Sequence, residues 1–105
     1  MLRGDIHRFV IPRGVGHEQH GQRFAVIVQA QALLPRSVVV VAPTSMSARP
    51  ASIRPEIVVG GVTTKVLVEQ VAAIDVERLG EKVGSLTPAE SWSIDEALLT
   101  VLGLD

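Results

Sequence analysis

Cysteine and tyrosine are both absent from the 105 residues, and the aromatic side chains amount to one tryptophan and two phenylalanines. Without cysteine there can be no disulfide, no thiol nucleophile and no cysteine-ligated zinc. With so few aromatics the core must be built from Val, Ile, Leu and Ala, a mixture that suits strands because branched side chains pack well on a pleated surface. No apolar run approaches the roughly 20 residues of a membrane span. The opening Met1-Leu2-Arg3-Gly4-Asp5 lacks the apolar stretch of a secretory signal, so a cytoplasmic protein is expected. A basic excess is missing too: 10 Lys and Arg face 11 Asp and Glu, for a net charge of −1. Any binding to a polyanion must therefore come from a local patch rather than from the field of the whole molecule.

What is present is a hydrophobic content of 47% against 20% charged residues. That balance folds, and the length predicts a single domain over 1–105. Gly4–Val10 reads as a first strand. A polar loop follows over Pro12–Gln22, with three glycines among eleven residues. Phe24–Val28 is an uninterrupted apolar run, as in a strand buried on both faces. Gln29–Arg36 fits a helical turn stopped by Pro35. Val38–Val41 is the strongest strand and is expected to end at Pro43-Thr44-Ser45. Ser45–Ser52 reads as a loop.

Ile53–Val59 and Val62–Glu69 flank Gly60-Gly61, a pair suited to a two-residue hairpin turn because both tolerate positive φ. Val71–Ile74 continues the strand after a kink. Asp75–Gly80 reads as a turn or short helix, and Lys82–Leu86 as a last short strand. Thr87-Pro88-Ala89-Glu90 combines a capping hydroxyl, a proline at the first helical position and a glutamate at the third, which predicts a helix over Pro88–Leu102. Its apolar face would be Ile94, Ala97, Leu98, Val101 and Leu102, with Gly103 as the stop. The sum is a mainly β fold, a small curled sheet with one terminal helix packed on it.

One cluster stands out chemically. His17, Glu18, Gln19, His20, Gln22 and Arg23 fall within seven positions, leading into the buried strand. They combine an acid/base that titrates near neutrality, a carboxylate and a permanent cation. Cleavage of RNA by its own 2′-hydroxyl needs those types: a base for the hydroxyl proton, an acid for the departing 5′-oxygen, and a cation for the phosphorane. A plain solvated loop would have the same composition. Thr44 and Ser45 are strand-end hydroxyls able to donate to a phosphate oxygen or to bond their own backbone. Glu69-Gln70 interrupts an apolar strand and belongs either to its solvent face or to a site. His7 and Arg8 read as outward-facing, and Trp92 as a packing residue. His17 and His20 lack enough neighbouring ligands for a metal, so neither a metal nor any other cofactor is expected.

These residues resemble the MazF/Kid/PemK toxins. The likeness runs through Arg3-Gly4-Asp5-Ile6, through Gly16–Arg23 with Phe24–Val28, through Val39–Ser45, through Val68-Glu69-Gln70 with Ala73-Ile74-Asp75, and through Leu79-Gly80 to Thr87-Pro88. It covers nearly the whole chain in order. The resemblance implies a small barrel related to the SH3 fold, of the CcdB/Kid/MazF type, with a C-terminal helix, assembled as a homodimer. It implies the toxin of a type II toxin–antitoxin system, an mRNA interferase: a metal-independent, sequence-specific endoribonuclease. Such an enzyme cuts single-stranded RNA to 2′,3′-cyclic phosphate and 5′-hydroxyl ends. Its partner would be a MazE-like antitoxin whose disordered tail covers the RNA groove.

By the same resemblance Arg23 falls on the catalytic arginine, Thr44 on the threonine that works with it, and Glu18 on a glutamate tied to activity. His17 falls on a histidine of the Kid branch, and Glu69 on an acidic position proposed as a base. Gln19, His20, Gln22, Ser45 and Gln70 are the RNA-binding candidates. The chain departs from the pattern at Phe24, where proline is usual, and at Leu67, where the Kid branch has arginine. It departs again at Ala42, which takes the place of the proline before the threonine. Two other readings stand beside the nuclease. One is a toxin of the same fold acting by binding, as gyrase-poisoning relatives do through the helix end, although Leu99–Asp105 lacks their Trp-Gly-Ile ending. The other is a catalytically weak decoy that binds an antitoxin.

Overall fold

The computed structural model describes residues 1–10 and 23–105. Among the described residues seven strands form one sheet: β1 (Asp5–Phe9), β2 (Phe24–Ile27), β3 (Val38–Ser45), β4 (Glu56–Val59), β5 (Val62–Val66), β6 (Ala72–Asp75) and β7 (Leu79–Ser85). Single 3-10 turns occupy Gln31–Leu33, Val68–Gln70 and Val76–Arg78, and one helix, α1 (Pro88–Val101), closes the chain. The strand order is β4-β5-β3-β2-β1-β7, with β6 also on β3. The sheet curls as a half-barrel around the helix, in accord with the mainly β expectation.

β3 is the spine. One edge carries β2, with Ala25 opposite Pro43 and Ile27 opposite Val41. The other edge carries β6 beside Val38–Val41 and β5 beside Thr44 and Ser45. β3 runs through Pro43-Thr44 and ends at Ser45, within the stretch where the sequence places its end. Pro43 has no N–H to give, but its carbonyl accepts from the Leu67 amide at 2.8 Å, so that stretch of the spine stays bonded. β5 and β6 share one edge of β3, and the chain crosses from one to the other in the 3-10 turn Val68–Gln70. Glu69 thus sits in that turn and not within a strand, which corrects the sequence reading.

Side-chain alternation divides the core into two faces. Val26 and Ala42 join Ile6, Phe24, Ile57, Val66 and Val68 under the helix residues Ile94 and Ala97. Ala25, Ile27, Val39, Val41 and Ile74 form the second cluster on the opposite face. β2 is buried at all four positions, as its apolar run predicts. The Gly60-Gly61 turn has φ of 56° and 81°, the left-handed region that glycine enters without a Cβ clash. The helix opens with a complete capping box, the Thr87 hydroxyl accepting from the Glu90 amide and the Glu90 carboxylate from the Thr87 amide. Of its apolar face Ile94 and Ala97 are buried, Leu98 and Val101 are packed against them, and Leu102 is exposed. Trp92 is 65% exposed, so the expected packing role is not what this residue has. Among the described residues no helix is long and apolar enough to cross a membrane.

Candidate functional site

The end of β3 and the entry to β2 lie side by side, and most of the described candidates gather there. Arg23 immediately precedes β2 and is half-buried; its carbonyl accepts from the Phe9 amide at 3.1 Å. Phe24 is buried as the first residue of β2. Its amide donates to the Thr44 hydroxyl Oγ1 at 3.0 Å, across from β3. Thr44 is fully buried, so this bond is a dry one. Phe24 gives the strand entry a backbone donor that a proline could not supply, and Thr44 takes it. The pairing fixes the residue next to Arg23, and hence the direction in which the arginine leaves the sheet. Ser45 is also buried, with Oγ 3.4 Å from the Ser47 hydroxyl.

Glu69 lies on the far edge of β3, beyond the Leu67–Pro43 backbone bond. One of its oxygens, Oε2, accepts from Arg54 twice, from Nη2 at 2.7 Å and from Nε at 2.9 Å. The other oxygen, Oε1, is buried without a partner among the described residues. The Arg54 hydrogen bonds hold the Glu69 carboxyl below the usual carboxylate range, against the opposing effect of partial burial. Arg54 is anchored further by Nη1, which donates to the Arg49 carbonyl at 3.1 Å. Its chain neighbour Pro55 accepts from the Val66 amide, and Val66 is the partner of Thr44. Arg54, Glu69, Thr44 and Ser45 are therefore tied into one corner. Gln70 is exposed on the same turn.

Arg54 was not among the residues singled out from sequence. Leu67, where a cation had been sought, is buried with 5% of its surface exposed. A guanidinium reaches Glu69 from a residue 15 positions earlier instead. The only signal in the sequence is an arginine placed before Pro55 in an otherwise small and polar stretch.

On the other side of Phe24 a cleft of about 360 Å³ opens between the β4–β5 turn and the β1–β7 edge, lined by Arg8, Phe24, Glu81 and Lys82 among others. Arg8 is opposite Phe24 in the β1–β2 ladder and pairs with Glu81 at 3.0 Å, while Lys82 pairs with the buried Asp5 at 3.2 Å. Arg8 faces outward as expected. His7 does not: it is half-buried, and its Nδ1 lies 2.9 Å from the Gly80 carbonyl, which makes that nitrogen the donor. Cations thus sit on both sides of the β2 entry, in a chain with no overall basic charge. His17, Glu18, Gln19, His20 and Gln22 lie outside the described residues.

Comparison with known proteins gives this arrangement a family. Residues 2–102 match the model of the PemK-like, MazF-like toxins of type II toxin–antitoxin systems. A candidate toxin of Mycobacterium tuberculosis, Rv3098A, is 41% identical over 106 aligned positions, covering 99% of both chains. Among solved structures, a mycobacterial endoribonuclease in complex with its cognate antitoxin superposes with a TM-score of 0.76 at 26% identity, covering 100% of this chain and 97% of that one. The Mycobacterium tuberculosis toxin MazF-mt6 gives a TM-score of 0.78 at 20% identity, covering 96% of this chain and 98% of that one, and so shares the fold. The match to the family model across nearly all of the sequence, together with the full-length relative, shows that the chain belongs to the PemK-like, MazF-like toxins of type II toxin–antitoxin systems.

Proposed function

We propose that this toxin is an endoribonuclease that cuts single-stranded RNA at short sequences without a metal, leaving 2′,3′-cyclic phosphate and 5′-hydroxyl ends. The observation that carries the reading is the full-length likeness, at 26% identity, to an endoribonuclease solved with its antitoxin. The local geometry supports it by giving Arg23 a fixed point of departure.

In this scheme the base removes the 2′-hydroxyl proton, the 2′-oxygen attacks phosphorus, and the bond from phosphorus to the 5′-oxygen breaks as that oxygen takes up a proton. Arg23 stabilises the charge on the phosphorane, the largest contribution a preorganised cation makes. Of the two carboxylates considered for the base, Glu69 is engaged by Arg54 and its affinity for protons is lowered. Glu18 takes that role. His17, a side-chain type able to carry a proton, assists proton delivery to the leaving oxygen. Thr44 is a positioning residue, acting through the Phe24 amide on the backbone beside Arg23. Gln19, His20, Gln22, Ser45 and Gln70 contact the RNA around the cut. The toxin works as a homodimer in the cytoplasm and is neutralised by a MazE-like antitoxin.

The test is incubation of the purified chain with long mixed-sequence RNA in EDTA, beside an Arg23→Ala control. Cuts at one recurring motif with 5′-hydroxyl ends, lost in the control, are expected. Equal cleavage by Arg23→Ala would show the scheme to be wrong. No cleavage by the folded protein would point to a toxin that acts by binding or to a decoy.

A further inference from the structure

The Arg54–Glu69 pair has no part in the steps above, yet it lies at the same corner as Thr44 and Ser45. Its geometry is directional. A guanidinium carries five N–H donors. Three of those on Arg54 are committed, two to Glu69 Oε2 and one to the Arg49 carbonyl. One N–H on Nη1 and one on Nη2 remain uncommitted among the described residues. Uncommitted N–H groups on a permanent cation are suited to phosphate oxygens. The side chain keeps 27% of its surface exposed, so solvent reaches it. Holding a cation at three points, with Glu69 itself fixed on a rigid turn, preorganises it for binding at low entropic cost.

We infer that Arg54 is a phosphate-binding residue for the RNA strand, gripping a backbone phosphate beside the one that is cut, and that Glu69 is the positioning residue that aims it. The inference rests on the ribonuclease reading and adds a contact to it. Ser45 and Gln70 flank the same corner and would meet the adjoining sugar or base. Arg54 thereby supplies, from the segment before β4, a cation that the strand position Leu67 does not provide.

The experiment measures binding of a single-stranded RNA carrying the parent's cut sequence, with one 2′-deoxy nucleotide at the scissile position so that it survives. Affinity is recorded across a range of salt concentrations for the parent, Arg54→Gln and Arg36→Gln. Arg36 is an exposed arginine outside the corner and controls for the loss of one positive charge. Arg54→Gln is expected to bind about ten-fold more weakly, the loss of one charge-assisted contact. Its plot of log affinity against log salt should be shallower by about 0.7, the share of one phosphate contact on a single strand. Arg36→Gln should keep the parent's slope.

A purely structural role would leave the slope of a folded Arg54→Gln unchanged, and that result overturns the inference. The Arg54 Nε–H resonance of the parent gives a reading that needs no substitution. It should move during RNA titration, and a resonance unmoved at saturation also overturns the inference. A parent that binds and cuts RNA while both readouts stay flat refutes the Arg54 contact alone. A parent that neither binds nor cuts RNA refutes the nuclease reading and this contact with it.

Discussion

Thr44→Val isolates the bond that fixes the entry to β2. Valine keeps the shape and nearly the volume of threonine but removes the oxygen, and Thr44 is fully buried. The Phe24 amide would then lose its only bond across to β3, at a residue that is itself 2% exposed. Leaving a buried donor unsatisfied costs about 1–3 kcal/mol. For a domain of this size that corresponds to a fall in Tm of roughly 4–8 °C per kcal/mol. Thr44→Ser makes the opposite change, keeping the hydroxyl and deleting a methyl at a cost of about 1 kcal/mol in lost burial.

The two variants should therefore separate stability from activity. Both melt earlier than the parent, but only Thr44→Val loosens the backbone beside Arg23. Urea unfolding gives the stability change, and single-turnover cleavage under conditions where all three proteins are folded gives the rate. Thr44→Ser is expected within a few-fold of the parent rate, and Thr44→Val at least ten-fold slower, with the loss in kcat rather than KM. A Thr44→Val protein as stable and as active as the parent would refute the reasoning, because the Phe24 bond would then hold nothing in place.

Other expectations follow from the same contacts. Arg23→Ala should lower kcat by about 100- to 1,000-fold, the usual cost of removing one preorganised donor to a developing oxyanion, with thermal stability nearly unchanged. Glu69 binds its proton less readily when folded than when unfolded, so its carboxylate stabilises the fold above the unfolded pKa and that contribution disappears as the pH falls through the folded value. Parent and Glu69→Gln should accordingly differ in urea midpoint at pH 7 and converge in acid below the normal glutamate range; a gap that widens in acid would contradict the Arg54 pairing. Glu90→Ala removes both the capping-box acceptor and the Glu90 Oε2 bond to the Val58 amide. It should cost about 0.5–2 kcal/mol by urea unfolding, as loss of a helix cap usually does. Ile94→Ala, at a helix position 1% exposed, should cost about 2–5 kcal/mol.

Local chemistry was readable in the sequence; the meeting of distant segments was not. The Gly60-Gly61 turn, the Thr87–Glu90 capping box and the doubly buried run of β2 each depend on neighbours within a few positions. Pro43 fits near the end of β3 because a proline removes only a donor. β3 needs an acceptor there, and the partner that uses it, Leu67, lies beyond a hairpin. Trp92 looked like a packing residue by its size, yet it falls on the side of α1 turned away from Ile94 and Ala97. At the site, Thr44 and Glu69 were singled out from the sequence, but their partners were not. The Phe24 amide carries no side-chain signal, and Arg54 meets Glu69 only because β4 and β5 fold back on the end of β3.

The central claim is that the RNA supplies its own nucleophile to this toxin, and one chimeric substrate tests it most directly. An RNA containing the mapped cut sequence is compared with the same strand bearing a single 2′-deoxy nucleotide on the 5′ side of the scissile phosphate, in EDTA. The account predicts that this one change abolishes cleavage at that position and leaves cuts at a second copy of the motif untouched. Continued cleavage at the deoxy position would contradict it, because the strand would then be cut by an attacking group other than its own 2′-hydroxyl.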